Sequence, residues 1–228
     1  MTGMLASVNS VAEALSVLAE GVDIIDLKQA AAGALGALDI ATVQAIVGQV
    51  GGRCPVSATI GDLPMQPELV FNAVLAMAAT GVDYIKIGIF PNGDSLATVR
   101  KLAELKPRQL ALIAVMFADT ELDYSLLAQL QAAGFKGVML DTMDKQRGSL
   151  STLLTADAIA DFVGTAKGLN LLCGLAGSLR LADIPVLLPY QPDYLGFRGA
   201  LCVHHNRVGQ LDTAAVAEVL RALRGQKS

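Results

Sequence analysis

The chain has 228 residues, of which 53% are hydrophobic and 17% are charged, and its mean hydropathy is +0.51. This composition can fill one large core, but the longest apolar runs are strand-sized, which argues against a membrane-spanning helix. A net charge of −4, Lys and Arg scattered along the chain and the lack of Trp argue against a nucleic-acid partner.

The first residues, MTGMLASVNSVAEALSVLAE, carry acidic side chains early and no basic segment, so they do not resemble a signal peptide. We therefore expect a cytoplasmic protein. The cysteines are odd in number and form no C-x-x-C pair, so we expect reduced thiols rather than disulfides or a zinc site at Cys54, Cys173 and Cys202.

Eight short β-type runs follow one another along the chain, and their continuous apolar character suits a sheet covered on both faces. We predict strands at residues 4–8, 22–28, 55–61, 83–90, 109–117, 137–142, 170–177 and 193–199. Helical patterns lie between and after them, at residues 10–21, with Ser10 as N-cap, and at 41–50, 67–81, 94–106, 123–134, 154–168, 184–191 and 212–224.

A repeat is visible in the segments EGVDIIDLK, TGVDYIKIG and AGFKGVMLD. Each contains a glycine that is expected to end a helix in the left-handed conformation before a strand begins, at Gly21, Gly81 and Gly134. Eight such βα units predict an α/β fold, a single-domain (β/α)8 TIM barrel over residues 1–228, with an open eight-stranded sheet as the alternative. We expect the C-terminal GQKS to be frayed.

Charged residues interrupt the apolar pattern where three strands end. Asp26 and Lys28 share one face of the second strand, Lys86 lies in the fourth, Asp141 ends the sixth, and Lys145 follows in the next loop. Alternate strands of such a barrel supply the same interior layers, so Lys28, Lys86 and Asp141 are predicted to meet at the mouth, where catalytic groups lie.

These residues can be read in two ways. They are either salt bridges that order the mouth or a catalytic group. Because buried ion pairs are weak stabilisers, stability alone is a poor reason for them. The catalytic interpretation needs a lysine that is neutral often enough to attack a carbonyl, and burial together with neighbouring cations lowers a lysine pKa. We therefore predict Schiff-base chemistry, with Lys86 and Lys145 tuning Lys28 and with Asp26 and Asp141 handling protons.

A second group of candidates is glycine-rich. The segments GLAGSL (174–179) and GFRGAL (196–201) follow the seventh and eighth strands, where barrels commonly bind phosphate through backbone N–H groups. Ordinary turn glycines are the alternative, and the loop at residues 30–38 either covers the site or is a plain connector. The predicted phosphate ligands are Gly174, Gly177, Ser178, Arg198 and Gly199.

Other polar residues are given structural roles. His204 and His205 lack a third ligand at metal-binding spacing, so no metal site is expected there. Asp62 and Asp119 are either site residues or helix caps, and we favour helix caps. Two aspartates begin strands and so face the opposite end of the barrel: Asp23 and Asp83.

The segments DIIDLK with AAGALGAL, DYIKIGIF, MLDTMDK, GLAGSLRLADIP and PDYLGFRGALC together resemble one enzyme family. It is (5-formylfuran-3-yl)methyl phosphate synthase, also called 4-(hydroxymethyl)-2-furancarboxaldehyde-phosphate synthase. The resemblance spans nearly the whole chain, and the segments occur in the family's order.

The resemblance implies condensation of two glyceraldehyde 3-phosphate molecules into the furan precursor of methanofuran, with neither metal nor organic cofactor. It implies that Lys28 forms the Schiff base, that Lys86 accepts a proton, and that Asp26, Asp141 and Lys145 complete the site. We expect a homo-oligomer that acts on this small substrate, without a membrane or nucleic-acid partner. Two alternatives remain, a class I phosphosugar aldolase and a non-catalytic barrel that senses a phosphorylated metabolite.

Overall fold

The computed structural model describes residues 1–225 and confirms the predicted (β/α)8 barrel. Eight parallel strands close in chain order, so that β8 pairs with β1. Apart from β1, which begins one residue early, each strand is shorter than predicted. They are β1 (Gly3–Val8), β2 (Ile24–Leu27), β3 (Val56–Thr59), β4 (Tyr84–Gly88), β5 (Leu112–Phe117), β6 (Gly137–Asp141), β7 (Leu172–Leu175) and β8 (Tyr194–Phe197). Gly225 excepted, the predicted frayed tail lies outside the described residues.

The α-helices surround the barrel at every position where the sequence predicts one. Within residues 1–225 they are α1 (Val11–Glu20), α2 (Ile40–Val50), α3 (Pro67–Ala78), α4 (Ser95–Leu102), α5 (Ser125–Ala132), α6 (Leu150–Leu153), α7 (Ala156–Gly168), α8 (Ile184–Leu187) and α9 (Thr213–Leu223). The short α6 was not expected. None of these helices is long and apolar enough to cross a membrane.

Side chains and glycines fix where the helices begin and end. The predicted N-cap Ser10 accepts a hydrogen bond from the Glu13 N–H and so satisfies a free donor of the first turn of α1. Gly21 is the left-handed C-cap of α1. Gly81 and Gly134 also have positive φ, but they lie beyond the C-caps of α3 and α5.

Three aspartates brace the N-terminal end of the barrel. Asp23, Asp83 and Asp193 each precede an even-numbered strand, and Lys136 holds the corresponding place before β6. Each aspartate accepts a 2.7 Å hydrogen bond from a backbone N–H of the preceding odd strand, at Met4, Val56 and Cys173. Asp23 and Asp83 thus lie at the end opposite the mouth, as predicted.

Apolar side chains form two packed regions. The larger lies between the strands and the surrounding helices, and the smaller fills much of the barrel interior around Ile113, Phe117 and Met139. The buried charged residues of the strands all lie on even strands, at Asp26, Lys86 and Asp141, whereas the odd strands supply uncharged polar residues such as Ser7 and Ser57. The fold therefore concentrates its buried charge on the barrel axis.

Candidate active site

Two lysines share one carboxylate at the C-terminal mouth of the barrel. Asp141 is the last residue of β6, and Lys28 comes directly after β2. The Lys28 Nζ lies 3.5 Å from Asp141 Oδ2, while Lys145 Nζ donates to Asp141 Oδ1 and to the Thr142 carbonyl. Charged N–H···O hydrogen bonds are typically about 2.7–2.9 Å long, so the Lys28 amine is held loosely.

Lys86 lies deeper, on the barrel axis. Its Nζ is 2.7 Å from Asp26 Oδ1. The hydroxyls of Ser7 and Ser57 also donate to the Asp26 carboxylate, at 2.8 and 2.6 Å. Lys86 and Asp26 are almost fully buried, at 2% and 0% exposure. The five predicted charged residues therefore converge, but as two linked ion-pair groups at different depths.

The environment of Lys28 favours its neutral form. Burial is the main cause, since it removes water from the ammonium, and the positive charges of Lys145 and Lys86 add to it. Asp141 and Asp26 oppose this effect, and the pKa of Lys28 is lowered from 10.5 to about 8. A fraction of about one tenth is then a free amine at pH 7.

The two carboxylates are held ionised. Burial alone would raise the pKa of Asp141, but Lys145, Lys28 and a backbone hydrogen bond hold it well below its usual range. The pKa of Asp26 is likewise lowered, because Lys86 and Ser57 outweigh its burial. Carboxylates of such low proton affinity suit fixed counter-charges better than the proton-handling role that the sequence suggested.

The mouth encloses a pocket of about 350 Å³, which is the size of a small-molecule site. Lys28, Lys86 and Lys145 line it together with Asp141, whereas Asp26 lies beneath its floor. Residues of the loops after β7 and β8 also line it. The reactive amine and the glycine-rich loops thus face one cavity.

Three of the predicted phosphate ligands lie where an anion could reach them. Gly177, with φ of +106°, and Ser178, with φ of +49°, bend the loop after β7. Among the described residues, neither backbone N–H has a hydrogen-bond acceptor. Gly199 begins a 3₁₀ turn after β8, which leaves its N–H unpaired as well. All three line the pocket.

Arg198 lines the mouth pocket, but its guanidinium is hydrogen-bonded to other groups of the protein. Its guanidinium pairs with Glu13 at 2.6 and 3.2 Å. Its remaining N–H groups donate to the carbonyls of Ser7, Arg207 and Gly209. An arginine has five N–H donors, and all five are used. The geometry therefore argues against the prediction that Arg198 binds phosphate directly.

Gly174 also has a packing role rather than a phosphate-binding one. It lies within β7 and does not line the mouth pocket. A Cβ at this position would lie 2.2 Å from the Tyr194 ring, so glycine makes room for that side chain inside the barrel.

Two arginines that the sequence analysis missed line the mouth. Arg180 follows the GLAGSL segment directly, is exposed, and its guanidinium has no partner among the described residues. Arg207 reaches from the loop after β8 to the Gly33 carbonyl, at 3.0 Å. Arg180 could have been found from its place beside the glycine-rich loop, but nothing in the sequence links Arg207 to the loop after β2.

The loop at residues 30–38 covers one side of the mouth, with Leu35 buried in the interior apolar cluster. Asp62 accepts hydrogen bonds from two backbone N–H groups of this loop. Asp119 likewise accepts hydrogen bonds from two backbone N–H groups of the loop after β6. The prediction that Asp62 and Asp119 cap helices is therefore wrong, because both tie down neighbouring loops.

Within the part of the chain that is described, no group of three or more His, Cys, Asp or Glu residues could hold a metal ion.

Comparisons with known proteins point to one enzyme family. Residues 4–220 match the family described as 4-HFC-P synthase. A Methylorubrum extorquens protein, which bears the name (5-formylfuran-3-yl)methyl phosphate synthase provisionally, is 44% identical over 97% of this chain and 91% of its own. The Methanocaldococcus jannaschii protein of that name is 31% identical over 95% of this chain and 97% of its own. A solved structure, phosphoribosyl anthranilate isomerase from Thermus thermophilus, shares the fold at a TM-score of 0.68 with 13% identity over the full length of both chains.

Proposed function

The chain belongs to the 4-HFC-P synthase family, and we propose that it condenses two molecules of glyceraldehyde 3-phosphate into 4-(hydroxymethyl)-2-furancarboxaldehyde phosphate, a precursor of methanofuran. Two C3 phosphates yield one C6 furan monophosphate, one phosphate and two waters, so the atoms balance. The reaction needs an electron sink for carbon–carbon bond formation and then acid–base steps for the eliminations.

Lys28 is the proposed nucleophile, and its environment is the observation that carries the proposal. Lys28 is 6% exposed and lines the mouth pocket, its amine lies 3.5 Å from Asp141, and its pKa is about 8. A neutral amine of this kind attacks the aldehyde of one triose phosphate and loses water to form an iminium. The iminium then accepts the electrons released when the neighbouring C–H bond breaks.

Lys86 is the proposed proton acceptor for that step. It lines the same pocket as Lys28 but lies deeper, with Asp26 fixing its position at 2.7 Å. Once neutral, Lys86 takes the proton from carbon, and the resulting enamine adds to the aldehyde of the second triose phosphate. Ring closure and eliminations of water and phosphate complete the furan, and hydrolysis of the imine releases the product and regenerates the Lys28 amine.

Asp141 and Lys145 hold the electrostatic balance around the imine. The Asp141 carboxylate lies between the two ammonium groups, so it stabilises the iminium that Lys28 becomes. Lys145 ties down the second oxygen of Asp141 and lowers the pKa of Lys28 by its charge. We assign both residues to tuning and orientation rather than to proton transfer.

Phosphate binding is assigned to the loops after β7 and β8. The free N–H groups of Gly177, Ser178 and Gly199 bind one phosphate, with Arg180 as the charged partner in place of Arg198. Arg207, across the mouth, is positioned for the phosphate of the second triose.

Incubation with glyceraldehyde 3-phosphate alone tests the proposal. We expect mass spectrometry to find the furan phosphate, and a colorimetric assay to find one inorganic phosphate per furan. Borohydride added during turnover should fix a triose-derived mass on the peptide that contains Lys28. The Lys28→Arg variant keeps a cation beside Asp141 but cannot form an imine, so it should stay folded and lose nearly all turnover.

The other outcomes are distinct. Condensation without phosphate release would identify a class I phosphosugar aldolase. Binding without turnover and without a trapped adduct would identify a non-catalytic barrel. An adduct on Lys86 or Lys145 would overturn the assignment of the nucleophile.

A further inference from the structure

A second cavity lies inside the barrel beneath the mouth pocket, toward the N-terminal end. It has a volume of about 180 Å³. Its rim includes Ile24, Tyr84 and Leu172, which begin their strands and are partly exposed, and Asp193, which is exposed. Lys86 and Leu5 line its inner end and also line the mouth pocket. The buried Lys86 ammonium, beside the Leu5 side chain, thus lies between a cavity that faces substrate and a cavity that opens at the far end of the barrel.

Two polar groups that line this cavity have unused hydrogen-bonding capacity. Tyr194 is 5% exposed, and its hydroxyl makes no hydrogen bond to any described residue. Because no fully buried side-chain N or O atom of the described residues lacks a partner, this oxygen is accessible to water. Lys86 is 2% exposed, and Asp26 is the one acceptor of its ammonium among the described residues, which leaves two of the three N–H groups unpaired. Buried polar groups without partners are costly, and water satisfies them where the space is large enough. The volume of this cavity holds several waters.

Water in this cavity can accept the proton that Lys86 must lose in the proposed chemistry. Because Lys86 is ion-paired with Asp26, it must lose one N–H proton before it can accept a proton from carbon. The triose bound to Lys28 fills the mouth at that moment, so the upper side of Lys86 faces substrate. The lower cavity is the side from which solvent can still reach the amine.

We infer that the lower cavity is a water-filled proton path between Lys86 and solvent at the N-terminal end of the barrel. The Lys86 N–H bond breaks, the proton passes to cavity water and then to bulk, and the neutral amine takes the proton from the C–H bond beside the iminium. Tyr194 acts as a positioning residue that orders this water. The inference rests on the proposed function, since it needs Lys86 to be the proton acceptor.

A cysteine in place of Ser57 tests whether solvent reaches the inner end from below. Ser57 lines the lower cavity but not the mouth pocket. We expect the thiol of the Ser57→Cys variant to be labelled by methyl methanethiosulfonate even after borohydride has fixed a triose on Lys28 and closed the mouth. Adding Leu172→Phe at the rim should slow labelling about tenfold, as read from the mass of the peptide that carries the new thiol.

Kinetics test whether the path serves the reaction. In the otherwise unaltered protein, Leu172→Phe and Tyr194→Phe should each lower kcat about tenfold, which is the scale of a weakened proton transfer. KM and the yield of the trapped Lys28 adduct should not change, because imine formation precedes the Lys86 step. Leu169→Phe is the matched control, since Leu169 lies outside the barrel and lines neither cavity.

The outcomes separate the path from the reaction itself. Absence of labelling in the Ser57→Cys variant, or unchanged kcat in both cavity variants, would overturn the proton path. Tyr194→Phe keeps the ring, so it gives a kinetic answer even if Leu172→Phe does not fold. Failure to form furan phosphate or a Lys28 adduct would instead overturn the proposed function. Labelling of Ser57→Cys with and without Leu172→Phe, repeated on the protein without substrate, does not depend on that function.

Discussion

Replacing Lys145 by methionine should shift the pH dependence of the enzyme rather than abolish its activity. Lys145 contacts the same carboxylate as Lys28, and its charge disfavours protonation of Lys28. Without that charge, the protonated form of Lys28 becomes more stable and its pKa rises from about 8. The change also frees Asp141 to attract Lys28 more strongly, which acts in the same direction.

The magnitude follows from the spacing of the two ammonium groups around Asp141. Two unit charges about 5 Å apart at an effective dielectric constant of about 20 interact by about 3 kcal/mol, or about two pKa units. Water in the open mouth screens part of this, so we expect a rise of about one to two units. A rise of one unit lowers the neutral fraction of Lys28 at pH 7 from about one tenth to about one hundredth.

The assay is the acidic limb of kcat/KM against pH, corrected for the titration of the triose phosphate itself. In the Lys145→Met variant the limb should move to higher pH, while the plateau at high pH approaches that of the unaltered protein. Lys145→Arg keeps the charge and is the control, so its limb should stay in place. A limb that does not move in Lys145→Met, with activity lowered at every pH, would refute electrostatic tuning and indicate that Lys145 contacts substrate.

Three further predictions concern stability, phosphate binding and the thiols. Lys28→Met should raise the free energy of unfolding at pH 7 by about 1–3 kcal/mol in urea denaturation, because the lowered pKa means that the charged form is disfavoured in the fold. Between pH 8 and 10.5 Lys28 is protonated in the unfolded chain but largely neutral in the fold, so the unaltered protein gains stability as the pH rises. The difference in free energy of unfolding between Lys28→Met and the unaltered protein should therefore narrow over this range, and a constant difference would contradict the reasoning. Arg180→Ala should raise KM about tenfold with little change in kcat, as loss of uniform binding does, and an unchanged KM would remove Arg180 from the site. Arg198→Ala should instead lower the free energy of unfolding by about 3–5 kcal/mol, because it leaves Glu13 unpaired. Iodoacetamide should label the native protein at pH 8 much more slowly than the urea-unfolded chain, because burial raises the pKa of the thiols, to about 12 for Cys173, and fast native labelling would be the contrary result.

The barrel was predictable because its signals are local and repeated. Apolar runs, helix caps such as Ser10 and glycines such as Gly21 recur along the βα units, and each acts within a few residues of itself. The convergence of Lys28, Lys86 and Asp141 followed from strand alternation alone, because the residues at the ends of alternate strands share a layer. Their division into two depths did not follow, since it depends on where within each strand the charge lies.

The wrong predictions for Arg198 and Asp62 have a common physical origin. The group that a side chain contacts depends on the three-dimensional fold and not on its neighbours in sequence. Arg198 lies beside a glycine-rich loop in sequence, but α1 brings Glu13 to it from the other end of the chain. Asp62 precedes a helix, as a cap would, but the loop after β2 offers it two free N–H groups. No spacing rule detects contacts of this kind.

The aspartate braces at the N-terminal end give the barrel a modular construction. Each brace joins an odd strand to the even strand that follows it, and the even strands carry the charged side chains of the interior. The chain is therefore an array of four two-strand modules, one of which has Lys136 where the others have a brace. Opening the chain between α2 and β3, and joining its natural ends, separates no braced pair. Such a circular permutant should fold more readily than one opened between β1 and β2, where the Asp23 brace would join distant parts of the new chain.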